Sequence, residues 1–147
     1  MNKPRIVLDT NVLLMSIGRK SDYRAIFDAL LNGTIQLVIS NEILSEYVEI
    51  LERKTNIIVA SNIAEILVKS RHVEKIEASF RWNLITADPD DNKFVDCAVA
   101  GNVKYIVSKD KHFNILKNIP FPKVDVLTID EFMEELETLK SSENNSP

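Results

Sequence analysis

The chain has 147 residues, 45% of them hydrophobic and 27% charged, with 18 Lys and Arg against 22 Asp and Glu for a net charge of -4. That is room for one domain with a sizeable core, and the composition is ordinary for a soluble globular protein. An acidic balance argues against tight, nonspecific nucleic-acid binding by charge alone, and the single cysteine excludes an internal disulfide or a thiolate metal cluster.

In chain order, Met1-Asn2-Lys3-Pro4-Arg5 leads straight into a strand-like run, Ile6–Leu8, without the longer apolar stretch of a secretory signal. No apolar run is long enough to span a bilayer, so the expectation is a cytoplasmic protein with no membrane contact. Tyr23–Leu31 carries Tyr23, Ile26, Phe27, Leu30 and Leu31 at helical spacing, and Gly33 stops that helix. Gln36–Ile39 reads as a second strand, followed by Ser40 as the cap of a helix over Asn41–Glu52. Ile57–Arg71 is helical on the spacing of Ile63, Ile66 and Leu67. From His72 to Thr86 the pattern suggests a short helix and then an extended Leu84-Ile85-Thr86.

Pro89 breaks the chain, and Asp91–Gly101 is a helix with Phe94, Val95, Ala98 and Val99 inward and Cys97 a buried, inert thiol. Tyr105–Val107 is a strand, His112–Leu116 a short helix, and Val124–Leu127 the last strand. Thr128-Ile129-Asp130-Glu131 is a capping box for a final helix to about Lys140. The strand–helix alternation implies an α/β fold with a mostly parallel sheet and helices on both faces. Residues 1–140 form a single domain, and residues 141–147, polar and without core-formers, are expected to be a disordered tail.

Four acids stand at the ends of these elements: Asp9, Glu46, Asp91 and Asp110. A buried strand has little reason to end in a carboxylate unless that group is used, and strand carboxyl ends are where open α/β sheets place their chemistry. Carboxylates gathered there repel one another and need a cation to hold them. Oxygen ligands suit magnesium or manganese (Mg2+ or Mn2+), and such a site hydrolyses phosphodiesters without a side-chain nucleophile. The four acids account for the whole net charge, so bound divalent ions would turn the pocket from repelling phosphate to attracting it.

Each acid also has a simpler reading. Asp9 can form a turn or cap the next helix; Glu46 can belong to the solvated face it shares with Glu42 and Glu49. Asp88, Asp90 and Asp91 around Pro89 can be a plain turn, and Asp90 and Asp96 stay open as alternatives to Asp91.

Taken in order, Val7-Leu8-Asp9-Thr10-Asn11-Val12-Leu13, Ile39-Ser40-Asn41-Glu42-Ile43-Leu44-Ser45-Glu46, Asp88-Pro89-Asp90-Asp91-Asn92-Lys93-Phe94 and Tyr105-Ile106-Val107-Ser108-Lys109-Asp110-Lys111-His112-Phe113 resemble the PIN domain family, from Ile6 to about Leu136. The resemblance implies a three-layer α/β/α sandwich and a magnesium- or manganese-dependent ribonuclease. Small bacterial and archaeal members look like VapC-type toxins, each neutralised by an antitoxin protein, and many are homodimers. It implies Asp9, Glu46, Asp91 and Asp110 as catalytic residues and metal ligands, with Asn11 and Ser108 orienting them. The family often has a further acid shortly after the fourth, where this chain has Lys111 and His112.

Arg19, Lys20, Lys109 and Lys111 are candidates for meeting phosphate on single-stranded or structured RNA. Trp82 beside Phe80 offers a stacking surface for a base, against the simpler reading of core packing or a dimer contact; His72 and His112 read as packing or surface residues. Two other functions compete: a haloacid dehalogenase-type phosphatase, which needs an aspartate where Asn11 stands, and a catalytically silent PIN-like module that binds RNA or protein.

Overall fold

A computed structural model describes residues 3–109 and 111–144. Five strands form one sheet in the order β3-β2-β1-β4-β5, and every neighbouring pair is parallel. They are β1 (Arg5–Leu8), β2 (Gln36–Ile39), β3 (Val73–Lys75), β4 (Tyr105–Ser108) and β5 (Val126–Thr128). The helices are α1 (Thr10–Ser16), α2 (Arg24–Asn32), α3 (Asn41–Lys54), α4 (Ile57–Lys69), α5 (Asn92–Ala100) and α6 (Ile129–Asn144). Short 3-10 segments cover Pro89–Asp91 and Lys111–Asn118.

The central strands are apolar throughout because both of their faces are covered: Ile6, Val7, Leu37, Val38, Ile106 and Val107 are fully buried. Chain order runs outward from β1 through β2 to β3, then returns to β4 on the other side of β1. That reversal falls between β1 and β4, and the carboxyl ends of the strands at such a point are where open α/β sheets collect ligands.

Local chemistry sets the helix ends. Ser40 and Asn56 accept the amides of Ile43 (3.2 Å) and Val59 (2.8 Å), capping α3 and α4. The capping box forms as expected: Thr128 N–H donates to Glu131 at 2.8 Å and Glu131 N–H to Thr128 Oγ1 at 3.1 Å. Gly33 ends α2 at φ 84°, and a Cβ there would stand 2.5 Å from the His72 ring, so both the dihedral and the space require glycine.

The structure departs from the sequence expectations in three places. The helix α1, open in the sequence only as one reading of Asp9 as a cap, has seven residues, too few to show a period. The expected short helix after His72 is instead the edge strand β3 and an irregular stretch. That stretch is held to α5 by Asn92, whose side chain accepts from Ile85 N–H and donates to Ile85 C=O, both at 2.9 Å. The final helix continues through Asn144, so residues 141–144 are helical rather than a disordered tail; residues 145–147 lie outside the described residues. Among the described residues, no helix is long and apolar enough to cross a membrane.

Candidate metal centre

Asp9 follows β1 directly and is the N-cap position of α1, in extended backbone at φ -60°, ψ 149°. Its amide donates to Val107 C=O on the neighbouring strand at 3.0 Å, while its own carbonyl accepts the amides of Val12 and Leu13. The backbone is thus held by sheet and helix at once. The side chain is only 5% exposed, and Ser108 Oγ, at the end of β4, donates to Asp9 Oδ2 at 3.1 Å.

Glu46 reaches the same corner from α3. Its Oε2 accepts the Thr10 hydroxyl, and its Oε1 forms an ion pair with Lys93 Nζ at 2.8 Å. Lys93 is 14% exposed at the side chain and also donates to Asp90 C=O at 2.8 Å, which ties α3 to the start of α5. Next to Glu46, the fully buried Tyr47 donates its hydroxyl to Leu8 C=O at 2.5 Å. Burial pushes the Tyr47 phenol well above its usual range, and the Asp9 and Glu46 carboxylates push it further. Both acids therefore bear on one hydroxyl.

Asp91 sits at the junction of the 3-10 turn and α5 and is 9% exposed. Asp88 starts that turn, and a 3-10 geometry eclipses side chains three residues apart, so the two carboxylates share a side. His112 Nδ1 lies 3.2 Å from Asp91 Oδ2 and 4.0 Å from Asp88 Oδ2. One donor atom from each of Asp88, Asp91 and His112 lies within 4.8 Å of the others. Ligands of a divalent ion at about 2.1 Å stand at most about 4.2 Å apart, so small side-chain rotations suffice for this set to fit one.

Of the four acids singled out in the sequence, Asp9 follows β1, Glu46 on α3 is bonded to Thr10 beside Asp9 and to Lys93, and Lys93 also reaches the Asp90 carbonyl next to Asp91; Asp110 lies outside the described residues. Asp90 is exposed. Asp96 faces another way: its carboxylate accepts the Trp82 amide at 3.0 Å, and burial raises its pKa. Ser108 orients Asp9 as the resemblance implied, but Asn11 is exposed and Thr10 holds Glu46 in its stead.

The sequence does not single out Thr10 or Lys93, and it reads Asp88 as part of a turn and His112 as a packing or surface residue. The i, i+3 spacing of Asp88 and Asp91 was the available signal for the pair; for His112 it was its place shortly after the fourth acid, while its partner Asp91 is 21 residues away. Arg19, Lys20, Lys109 and Lys111 are exposed. Trp82 is no core residue: it stands half-buried between Phe80 (4.6 Å between ring centroids) and Phe121 (5.8 Å), both exposed. Cys97 is buried, as expected.

A family model described as a PIN domain matches residues 5–112. No curated protein matches the chain. Among solved structures, the fold is similar to VapBC2 from Rickettsia felis bound to a DNA fragment from their promoter, at 18% identity over 84% of this chain and 98% of that chain, with a TM-score of 0.60. It is similar also to DNA-bound VapBC from Salmonella typhimurium (16% identity, 88% and 99% covered, TM-score 0.54) and to the T. brucei RRP44 PIN domain (16%, 96% and 85%, 0.52). At such identities these likenesses concern the fold alone.

Proposed function

The chain belongs to the PIN domain family, and on that premise we propose that it is a magnesium- or manganese-dependent endoribonuclease, the toxin of a toxin–antitoxin pair. The observation that supports this reading is the buried Asp9 carboxylate at the end of β1, where the sheet order reverses, with Glu46 bonded to the adjacent Thr10. Asp9 accepts the Ser108 hydroxyl there, Glu46 on α3 accepts the Thr10 hydroxyl, and Asp91, at the end of the turn before α5, stands beside Asp88 and His112.

Asp9, Glu46 and Asp91 are the proposed ligands, joined by Asp110 from its place two residues after Ser108. A divalent cation supplies Lewis acidity when bound, neutralising the phosphate and making water a better nucleophile. The protein side chains prepare that site. Ser108 and Thr10 orient Asp9 and Glu46, and the Lys93 ammonium lowers the repulsion among the acids. Lys109 and Lys111, exposed beside the site, are the proposed contacts for the RNA backbone.

An antitoxin partner is supported by the VapBC structures among the neighbours. A homodimer is supported by Ile57, Ile58 and Val68, large apolar side chains that α4 leaves between 66% and 72% exposed. Absence of Asp at position 11 disfavours the phosphatase reading; the retained acids disfavour a silent binding module.

The test is cleavage of single-stranded RNA with magnesium or manganese by the parent and by Asp9→Asn. Loss of cleavage with an intact fold supports the nuclease; equal cleavage by the variant overturns the assignment. RNA binding in both forms, with cleavage in neither, would identify a binding module.

A further inference from the structure

We propose that Asp88, Asp91 and His112 form a mixed oxygen–nitrogen site that selects a later first-row transition ion, of the cobalt-to-zinc kind, over magnesium. The inference rests on the metal-dependent reading above and deepens it by assigning an imidazole to the ligand set.

Geometry comes first. Two ligands at right angles on an ion with bonds of about 2.1 Å stand about 3.0 Å apart, and opposite ones about 4.2 Å. The His112 Nδ1 separations of 3.2 Å from Asp91 Oδ2 and 4.0 Å from Asp88 Oδ2 fall on or between those values. The same side chains are held from behind. Phe113, fully buried, packs edge-to-face on Phe94 of α5 with centroids 6.2 Å apart, which sets the neighbouring His112 over the start of that helix. Pro89 presets the turn that puts Asp88 and Asp91 on one side, and Asn92 anchors its far end to Ile85.

Chemistry decides the selectivity. Magnesium demands oxygen donors and keeps several waters, so an imidazole in its ligand shell is a poor exchange. Later transition ions gain from imidazole nitrogen, and affinity rises from manganese through cobalt toward copper, with zinc still well above manganese. An all-carboxylate site has a weaker bias of this kind. His112 strengthens it here, on a site whose two carboxylates are retained.

The chain has two histidines, which makes the test direct. His72 lies apart from the acids, with its ring on Lys3 Nζ at 2.9 Å and against Gly33, and serves as the internal control. Zinc added to the intact, nitrogen-15-labelled chain should shift the His112 Nδ1 resonance at one equivalent and leave that of His72 in place; magnesium should shift neither. His112→Asp should lower the ratio of zinc to magnesium affinity by about tenfold or more, measured by calorimetry. A His112 resonance unmoved by zinc, both histidines shifting alike, or an unchanged affinity ratio in the variant would each overturn the proposal. The nuclease reading fails separately: a zinc-shifted His112 in a chain that cuts no RNA under any metal leaves this site standing. Conversely, cleavage with an unmoved His112 sinks this site alone.

Discussion

Ser108 donates its hydroxyl to Asp9 at 3.1 Å across 99 residues of sequence, from the last position of β4 to the first position after β1. The two strands are neighbours in register, Leu8 opposite Val107, so the next residue of each meets at the point where the sheet order reverses. A buried carboxylate that accepts a hydroxyl is oriented before any ligand arrives. Ser108→Ala should cost about 1 kcal/mol of stability and weaken divalent-ion binding. Ser108→Thr should restore both, since a β-branched residue suits a strand and keeps the hydroxyl. Denaturant titration and metal calorimetry of the two variants check this; equal losses in both would deny the hydroxyl its role.

Lys93 Nζ lies 2.8 Å from Glu46 and over the Phe94 ring at 5.7 Å. Lys93→Met keeps the aliphatic stem and removes the charge that offsets Glu46. The metal-free variant should be less stable by about 1 kcal/mol, a partly exposed pair being worth less than a buried one. Added manganese should recover more of the loss than it adds to the parent, because the ion replaces the missing positive charge. Thermal melts with and without manganese decide it; a deficit that manganese leaves untouched would mean that Lys93 packs rather than compensates.

Asp96 was one of the alternatives for the third acid, and its carboxylate is spent on the Trp82 amide. Asp96→Asn preserves an acceptor for that amide and should leave cleavage and metal affinity unchanged, whereas Asp91→Asn should abolish both. Burial holds the Asp96 pKa above its ordinary value, so the native state binds the proton more tightly than the unfolded chain. The contribution is full in acid and is lost as pH rises through the raised pKa. Asp96→Asn should accordingly stabilise the fold at neutral pH, with the gain vanishing below about pH 4. Denaturation of both proteins across that range tests the sign.

Alkali should unfold the chain through buried neutral groups. Tyr47 and Tyr105 are held well above the ordinary phenol range, chiefly by burial, and burial pushes the Cys97 thiol up to about 12. The unfolded chain releases its thiol proton near about pH 8.5 and its phenol protons near about pH 10. The native state therefore binds more protons in alkali, and the contribution of these groups to stability, level below about pH 8, falls as pH rises from there. Phenolate absorbance during an alkaline titration should show Tyr47 and Tyr105 ionising only together with loss of structure. Their smooth titration near pH 10 in a folded chain would contradict the burial.

Periodicity, caps and strand ends sufficed for much of the architecture. Ile6–Leu8, Gln36–Ile39 and Tyr105–Val107 are apolar without alternation because they are covered on both faces, and a run bounded by Asp or Ser is visible without knowing its neighbours. Ser40 and Thr128 announced their helices for the same reason: a cap bonds to amides two or three residues away, within the reach of local pattern. Asp9 and Asp91 were legible beside element ends, and Glu46 as an acid within the helix that follows β2. The order of the strands was not, and it alone brings β1 beside β4 and so Ser108 to Asp9. Thr10 on Glu46, Lys93 between Glu46 and the Asp90 carbonyl, and His112 on Asp91 are likewise products of packing. Each joins side chains carried by different elements, whose separation in space depends on how helices and strands stack, not on any interval along the chain.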